Sequence, residues 1–266
     1  MFNPNELVLE KIRAVEEYDL ATSELTGRYT QIEEPSLKTA AEGTTVTDAM
    51  GAEIATFYKA QTGTFSFSNS LFSLDLAASQ FGSEKEVADA DNKITIPVSE
   101  IINIAADGTA TLKYIPVGAA GAEVKTVKVI NENNTFGKTY EVSATPGEGK
   151  FTLDAASKTI TLPEGAAGRA FVQYNRESDN AVKVTKTTDG IPTVKSLLIH
   201  ALFHDPCNTN SVYAGVINVP RAQINPEAVE ISLTPDGKHS AEYKLQKPYC
   251  DEHARLFDII IASDTE

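Results

Sequence analysis

The sequence predicts a mainly β fold, a sandwich or barrel with one flanking helix. From Lys93 onward, apolar and polar residues alternate in short runs, and turn residues separate these runs at intervals of roughly ten residues. Serine, threonine and valine are plentiful, tryptophan is absent, and only one segment has convincing helical spacing. With 266 residues, of which 41% are hydrophobic, the chain is long enough to bury a substantial core.

The N-terminal part of the chain mixes clear and ambiguous elements. Residues 6–20 fit either a strand or a short helix. Residues 33–50 are polar and poorly periodic, which predicts an extended loop or arm. Phe65 and Phe67 alternate with polar neighbours, which is typical of a half-buried strand.

The one helix is predicted at residues 71–81. Leucine, alanine and phenylalanine recur there at helical spacing and form a broad apolar stripe. Asn69 or Ser70 is the candidate N-cap, and Gly82 is the candidate end of the helix.

The middle of the chain reads as a small inserted β domain. Short alternating runs with Gly-rich turns continue to about residue 182, enough for a small immunoglobulin-like sandwich. We therefore predict a discontinuous main domain at residues 1–105 and 183–266, with the insertion at 106–182.

The C-terminal part predicts further strands of the main domain. Residues 197–203 are apolar on both faces apart from His200, as in a strand buried on both sides. Residues 229–233 and 241–245 alternate, and Thr234–Gly237 between them predicts a tight hairpin turn. A closing strand is predicted at residues 257–261.

The formal net charge is −14 at pH 7. A chain this acidic repels a phosphate backbone and an anionic membrane surface, which excludes a conventional nucleic-acid-binding protein. No apolar stretch has the length needed to cross a bilayer. The first six residues lack the pattern of a signal peptide and the chain has two cysteines, so we expect folding in a reducing cytoplasm.

Sequence motifs of catalysis are absent. The chain has no phosphate-binding P-loop, no dinucleotide fingerprint and no Gly-x-Ser-x-Gly nucleophile elbow. We therefore expect neither an enzymatic activity nor a cofactor. A glycosidase pair of carboxylates has no fixed sequence signature, and that alternative stays open.

Two short segments hold residues that could bind zinc. His204 and Cys207 are three positions apart, as are Cys250 and His253, and the four could form a tetrahedral site if the segments meet. Neither segment has a paired-cysteine knuckle, so ordinary strand and loop residues are the preferred interpretation and no metal ligand is assigned. The acidic segment Asp89–Asn92 lacks the ligand spacing of an EF-hand and is interpreted as a solvated turn.

Two segments carry a resemblance to a known family. The first runs from Thr47–Gly51 through Phe65–Leu74. The second runs from Val194 to the end of the chain and includes Glu230–Gly237 and Tyr243–Leu245. Together they resemble the major tail (tail tube) proteins of bacteriophages of Gram-positive bacteria.

This resemblance implies a tail-tube-like β-sandwich with a flanking helix, whose copies form hexameric rings stacked into the hollow tube of the virion tail. Neighbouring subunits join their sheets around the lumen, extended arms clamp one ring to the next, and many members carry an added immunoglobulin-like domain outside. The implied partners are further copies of the chain, other tail proteins (terminator, baseplate or tip, and a sheath in contractile tails) and DNA that passes without specific binding. We expect assembly in the host cytoplasm and no membrane partner.

The predicted hairpin has one apolar face and one polar, solvent-facing face. The polar face is the candidate lining of the lumen. Its excess of acidic over basic residues would keep DNA from adhering. An ordinary solvent-facing surface is an equal alternative. Residues 33–50 would then be the arm between rings, and residues 64–68 a sheet edge that pairs with a neighbour. The candidate lumen residues are Glu230, Ser232, Glu242, Lys244 and Gln246.

Two other functions stay open. An extracellular or virion-surface binding module, such as an adhesin, would need exposed aromatic platforms, whereas the aromatic residues here alternate as in a core and tryptophan is absent. A capsid or decoration protein differs little at the level of sequence. Hollow tubes in negative-stain electron microscopy would favour the tail tube over both.

Overall fold

The computed structural model describes residues 6–145, 147–235, 237–249 and 254–265. Within these residues the fold is mainly β, as the sequence predicts, with nineteen strands, one α-helix and a 3-10 turn at Pro226–Ala228. Numbered along the chain, the elements are β1 (Val8–Asp19), β2 (Leu25–Tyr29), β3 (Ile32–Ala40), β4 (Gly43–Thr47), β5 (Glu53–Tyr58), β6 (Thr62–Asn69), α1 (Leu74–Phe81), β7 (Lys85–Val87), β8 (Ile94–Ile104), β9 (Thr109–Thr111), β10 (Val124–Ile130), β11 (Phe136–Val142), β12 (Lys150–Asp154), β13 (Thr159–Thr161), β14 (Gly168–Ser178), β15 (Val182–Val184), β16 (Val194–Asp205), β17 (Asn208–Ile224), β18 (His239–Leu245) and β19 (Asp258–Thr265).

The chain divides into two compact units. Unit 1 comprises Met1–Lys85 and Val184–Glu266, and unit 2 comprises Glu86–Lys183. β7 and β15 pair as a two-stranded sheet where the chain leaves unit 1 and returns to it. Unit 2 includes β8, which pairs with β14 along its whole length. The assignment of residues 106–182 as an inserted domain stays a prediction.

Unit 1 is built on an eight-stranded sheet of order β2-β1-β16-β17-β18-β6-β3, with β19 paired to β17. β6 shows how the alternating sequence gives a strand two faces: Phe65 and Phe67 are buried, and the alternating residues Thr64, Ser66 and Ser68 are half-buried. The buried face, which includes Val15, Leu197 and Ile199, forms one hydrophobic core.

Helix α1 packs on this core through Leu76, which is fully buried. Its N-cap is Ser73, whose Oγ accepts a hydrogen bond from the Leu76 backbone N–H at 3.2 Å. The predicted cap at Asn69 or Ser70 is wrong, because Asn69 accepts a bond from the backbone two residues on and forms a turn before the helix. Gly82 ends the helix in the left-handed conformation, with φ of 65°.

Residues 33–50 are not the loop that the sequence predicts. β3 pairs with β6, and a bulge between Glu33 and Ser36 accommodates Pro35. β4 and β5 pair with each other as a separate hairpin. β6 is paired with β18 on one side and with β3 on the other. The expectation that residues 64–68 form a sheet edge is therefore wrong, and β3 is the edge strand.

The hairpin predicted around residue 235 is only half present. β18 corresponds to its second strand, but residues 229–233 contribute a single bridge, between Ile231 and His239. Leu233 is 92% exposed, so this connection has no continuous buried face to hold it in the sheet. Asp236 in the predicted turn, like Pro146 in another predicted turn, lies outside the described residues.

Unit 2 contains a seven-stranded sheet of order β8-β14-β10-β11-β12-β13-β9. β11 and β12 run parallel, and the other paired strands run antiparallel. A second hydrophobic core lies within this unit and includes Val127, Phe151, Ile160 and Val172, all fully buried. The immunoglobulin-like character of the unit stays a prediction.

Candidate assembly surface

One face of β6 and β18 in unit 1 carries only polar side chains. In the antiparallel register, Ser68 is paired with Ser240, Ser66 with Glu242 and Thr64 with Lys244. The hydroxyls of Ser68 and Ser240 are 2.9 Å apart. The residues between these positions are buried, so the strands separate a wet face from the core. We call this set the polar face: Thr64, Ser66, Ser68, Ser240, Glu242 and Lys244.

Three of the five predicted lumen residues lie on this polar face or directly after it. The Glu242 carboxylate accepts a hydrogen bond from Asn225 Nδ2 at 2.8 Å. Lys244 Nζ forms an ion pair with Glu227 at 3.2 Å. Gln246, one residue beyond β18, accepts a bond from an arginine of β17 at 3.0 Å. Side chains of β17 and of the turn after it therefore hold the three predicted residues in place.

The other two predicted lumen residues lie elsewhere. Glu230 and Ser232 belong to the connection before β18, where only Ile231 makes a bridge. Ser232 Oγ is 3.0 Å from the hydroxyl of Thr234, two residues on, a contact within the connection itself. The structure therefore does not bring these two residues onto one strand face with Glu242.

The β4–β5 hairpin is exposed along most of its length. Every residue of β4 is exposed, and the hairpin also carries large apolar side chains that face solvent. Met50 is 94% exposed, Phe57 66% and Tyr58 72%. Several large exposed apolar side chains on one hairpin are typical of a surface that another protein covers.

Unit 1 also contains a buried polar cluster that the sequence does not reveal. Lys195 Nζ donates to Glu17 Oε2 at 2.9 Å, to Thr26 Oγ1 at 2.8 Å and to Ser79 Oγ at 2.7 Å. Ser79 Oγ donates in turn to Glu17 Oε2 at 2.6 Å, and the Tyr243 hydroxyl donates to Glu17 Oε1. Glu17 is fully buried, so these donors replace water around its charge. The cluster joins α1 to four strands of the sheet.

Two histidines of β16 face carboxylates of β1. His200 Nε2 is 3.1 Å from Glu16 Oε2, and His204 Nε2 is 2.6 Å from Glu10 Oε2. Burial raises the pKa of Glu16, but hydrogen bonds from neighbouring side chains outweigh burial and the pKa is lowered. The hydrogen bond with His204 lowers the pKa of Glu10.

The possible zinc ligands are only partly visible. Cys207 is exposed, and its backbone N–H donates to Asp205 Oδ1 at 2.8 Å. Cys250 and His253 lie outside the described residues. Among the residues that are described, no group of three or more His, Cys, Asp or Glu side chains is placed to hold a metal ion.

The negative charge of the chain is concentrated in unit 1. Unit 1 has 24 acidic and 13 basic residues, whereas unit 2 has 13 acidic and 10 basic residues. The unit that carries the polar face therefore accounts for most of the net charge of −14.

A family comparison covers almost the whole chain. Residues 7–254 match the model of the YomU/Tube protein family. No curated protein matches the sequence. Across the ranges that the structure describes, no helix is both long enough and apolar enough to span a membrane. The chain therefore belongs to the YomU/Tube protein family, which confirms the resemblance to phage tail tube proteins.

Proposed function

We propose that the chain forms hexameric rings that stack into the phage tail tube, and that DNA passes through the lumen of this tube. The observation that carries the proposal, beside the family match, is the unit 1 sheet: its strands β6 and β18 have one buried and one polar face, and among the described residues the strands that end the sheet are paired on one side only. Such a sheet can be extended by copies of itself. The chain would act in the virion tail as a structural protein, without catalysis.

Ring formation would use the sheet edges. Within the described residues, β2 and β3 end the strand order of the sheet, and each has a paired strand on one side only. Unpaired backbone groups along an edge strand can pair with an edge of another molecule. A head-to-tail contact of β2 with β3 of the next copy would give a ring if its rotation closes.

The lumen would be lined by the polar face. Its hydroxyl, carboxylate and ammonium groups bind water well, and Glu242 and Lys244 are already paired with neighbours in the same chain. The excess of acidic residues in unit 1 would repel DNA phosphates, so that DNA could move without adhering. Gln246 would lie at the margin of this lining, and Glu230 and Ser232 would belong to the connection beside it.

Contacts between rings would use the β4–β5 hairpin. This hairpin projects large apolar side chains into solvent, and burial of Ile54, Phe57 and Tyr58 against a neighbouring ring would remove them from water. Other tail proteins, such as a terminator and a baseplate or tip protein, would meet the end rings of the tube.

Size-exclusion chromatography with negative-stain electron microscopy of the purified chain tests the proposal. We expect rings or hollow tubes with six subunits per ring at high protein concentration. A protein that stays monomeric at every concentration, or that forms closed shells, would contradict it.

The lumen assignment needs its own test. We expect Glu242→Lys, introduced into the phage, to slow DNA ejection because the lining then attracts phosphate. Glu132→Lys makes the same charge change on an exposed turn of unit 2 and serves as the control. Equal ejection rates for both variants and the wild type would argue against a lumen position for Glu242.

A further inference from the structure

Unit 2 contains an open recess of about 400 Å³, and half of its lining residues are basic. Its lining includes four basic side chains and one carboxylate, Glu177. This is a local excess of positive charge in a chain whose net charge is −14. The four basic residues are Lys93, Lys113, Lys158 and Arg176.

The backbone around the recess is held by hydrogen bonds from several strands. Lys113 N–H donates to Glu100 Oε1 at 3.0 Å, and Tyr114 N–H donates to the Tyr174 hydroxyl at 3.2 Å. The same hydroxyl donates to Glu100 Oε1 at 2.7 Å. The carbonyl of Lys158 accepts a bond from the backbone after β9 at 2.8 Å. The backbone that carries Lys113 and Lys158 is therefore held by the fold itself.

An aromatic ring orients two of the cations. The guanidinium carbon of Arg176 lies 4.2 Å from the centre of the Tyr114 ring, and Lys113 Nζ lies 5.1 Å from the same centre. A guanidinium held over a ring keeps its N–H edge available for a planar or tetrahedral anion. The contact with Tyr114 therefore holds the guanidinium of Arg176 at the recess.

The cations lack acidic partners of their own. Among the described residues, no carboxylate forms an ion pair with Lys93, Lys113, Lys158 or Arg176, although other lysines of unit 2 do pair, such as Lys150 with Glu141. Four basic side chains share this recess with one carboxylate, Glu177, so an excess of positive charge remains that a bound anion would offset.

We infer that this recess is a binding site for a compact phosphate-bearing ligand, such as a sugar phosphate or one repeat of a phosphate-bearing glycan. Arg176 and Lys113 contact the phosphate, and Lys93 and Lys158 complete the positive field. Ile115, which is 57% exposed, and the edge of Tyr114 supply apolar surface for the carbon part of the ligand.

Nucleic acid fits the recess less well. A DNA-binding groove follows a phosphate backbone over several nucleotides and offers free aromatic faces for stacking. Here the cations are confined to one recess, Arg176 already covers Tyr114, and the rest of the chain is acidic. A short phosphate-bearing molecule avoids that repulsion.

Calorimetric titration of the full-length protein at low salt tests the site. The probes are pyrophosphate, glucose 1-phosphate, glucose and a single-stranded oligonucleotide. We expect both phosphate compounds to bind and glucose not to bind. If glucose 1-phosphate binds more tightly than pyrophosphate, the natural ligand is a phosphate linked to a carbohydrate. If the two bind equally, the recess recognises the phosphate group alone. Preferred binding of the oligonucleotide, or no binding of either phosphate compound, would overturn the inference.

Matched variants separate the recess from general charge. Lys113→Gln with Arg176→Gln should weaken phosphate binding by about tenfold for each cation removed. Lys125→Gln with Lys138→Gln removes the same charge from unit 2 outside the recess and should leave binding unchanged. Glu177→Gln should tighten binding, whereas Glu132→Gln should not. Equal effects of the recess and control pairs, with unchanged circular dichroism, would show that no specific site exists.

Discussion

At the scale of single residues, the buried carboxylate of Glu17 shows how the fold compensates a charge in its core. Lys195, Ser79 and Tyr243 all donate to this carboxylate or to each other, and Lys195 also reaches Thr26. Glu17 and Lys195 are 178 positions apart in sequence, and no local pattern relates them. The sequence therefore could not predict the pair, because it exists only once β1 and β16 have joined.

Two tyrosines beside this cluster make a matched comparison. Tyr243→Phe removes a donor from a fully buried carboxylate, so we expect it to lower the free energy of unfolding by about 2 kcal/mol. The buried hydroxyl of Tyr29 lies beside Ser79 and Glu17, but among the described residues it makes no well-formed hydrogen bond. Tyr29→Phe should therefore lower the free energy of unfolding by less than Tyr243→Phe does, by about 0.5 kcal/mol or less. Urea denaturation followed by circular dichroism measures both, and a larger loss for Tyr29→Phe would contradict the expected order.

The burial of His239 predicts that the stability of the fold depends on pH near neutrality. Burial lowers the pKa of His239 below its ordinary value of 6.5. Its Nδ1 accepts from Ser73 N–H at 3.3 Å, and its Nε2 lies 2.8 Å from Gln80 Oε1, an arrangement that suits the neutral ring. Below pH 6.5 the unfolded chain binds a proton that the folded chain does not, so stability is full above this pH and falls below it.

The measurement for His239 is the free energy of unfolding between pH 7.5 and pH 5.5. We expect the wild type to lose stability over this range and His239→Gln to lose less. The pKa values of Glu10 and Glu16 are lowered from 4.5, so these carboxylates stay charged between pH 7.5 and pH 5.5 and do not contribute to the slope. The same slope in His239→Gln and the wild type would rule out His239 as its cause.

At the scale of elements, helix α1 depends on the glycine that follows it. Gly82 has φ of 65°, and a Cβ atom added there would lie 2.2 Å from the carbonyl oxygen of Ile191. Backbone atoms cannot move aside as a flexible side chain can. The end of α1 and the segment before β16 can therefore approach each other only at a glycine.

Gly82→Ala tests this contact. We expect it to lower the free energy of unfolding by about 3 kcal/mol or more, because left-handed strain and a backbone clash add. Gly165→Ala is the control: it also has a positive φ, of 88°, but nothing lies within 4 Å of the added Cβ. Its cost should be only the strain, about 1 kcal/mol. Equal melting temperatures for the two variants would show that the Ile191 contact can relax.

The elements that the sequence predicted well have a regular period and one buried face. Residues 65 and 67 alternate as expected in β6, and β18 presents Glu242 and Lys244 on the predicted wet face. Residues 33–50 escaped prediction because β3 is a bulged edge strand and β4 is exposed on both faces, so neither has an alternating core pattern. Residues 229–233 do alternate, but the turn before them and the exposure of Leu233 keep them out of the sheet.

At the scale of the whole molecule, the exposed hairpin is the feature that most needs a partner. Its large apolar side chains are mostly exposed and belong to neither of the hydrophobic cores formed by the described residues, so they contribute little to folding and are available for assembly. The proposed ring stacking accounts for them, because each hairpin would then be covered by the next ring.

Substitution of one of these side chains tests that role. Phe57→Ser should leave the melting temperature of the isolated chain unchanged within about 2 °C, because the ring is mostly exposed, but it should shorten or abolish tubes in electron micrographs. Ile101→Ser changes an equally exposed apolar residue of unit 2 and should leave tube length unchanged. Normal tubes from Phe57→Ser would show that the hairpin does not join the rings.

The short β7–β15 ladder bears on how such a chain could have evolved. Paired strands lie only ~5 Å apart, so two residues suffice to close them into a hairpin. An ancestor without unit 2 would need nothing more than that tight turn. Hairpin tips accept added sequence readily, so a gene fragment acquired at this point would lengthen the loop and leave the flanking strands in register. Descendants could exchange the acquired part for another while conserving the ladder.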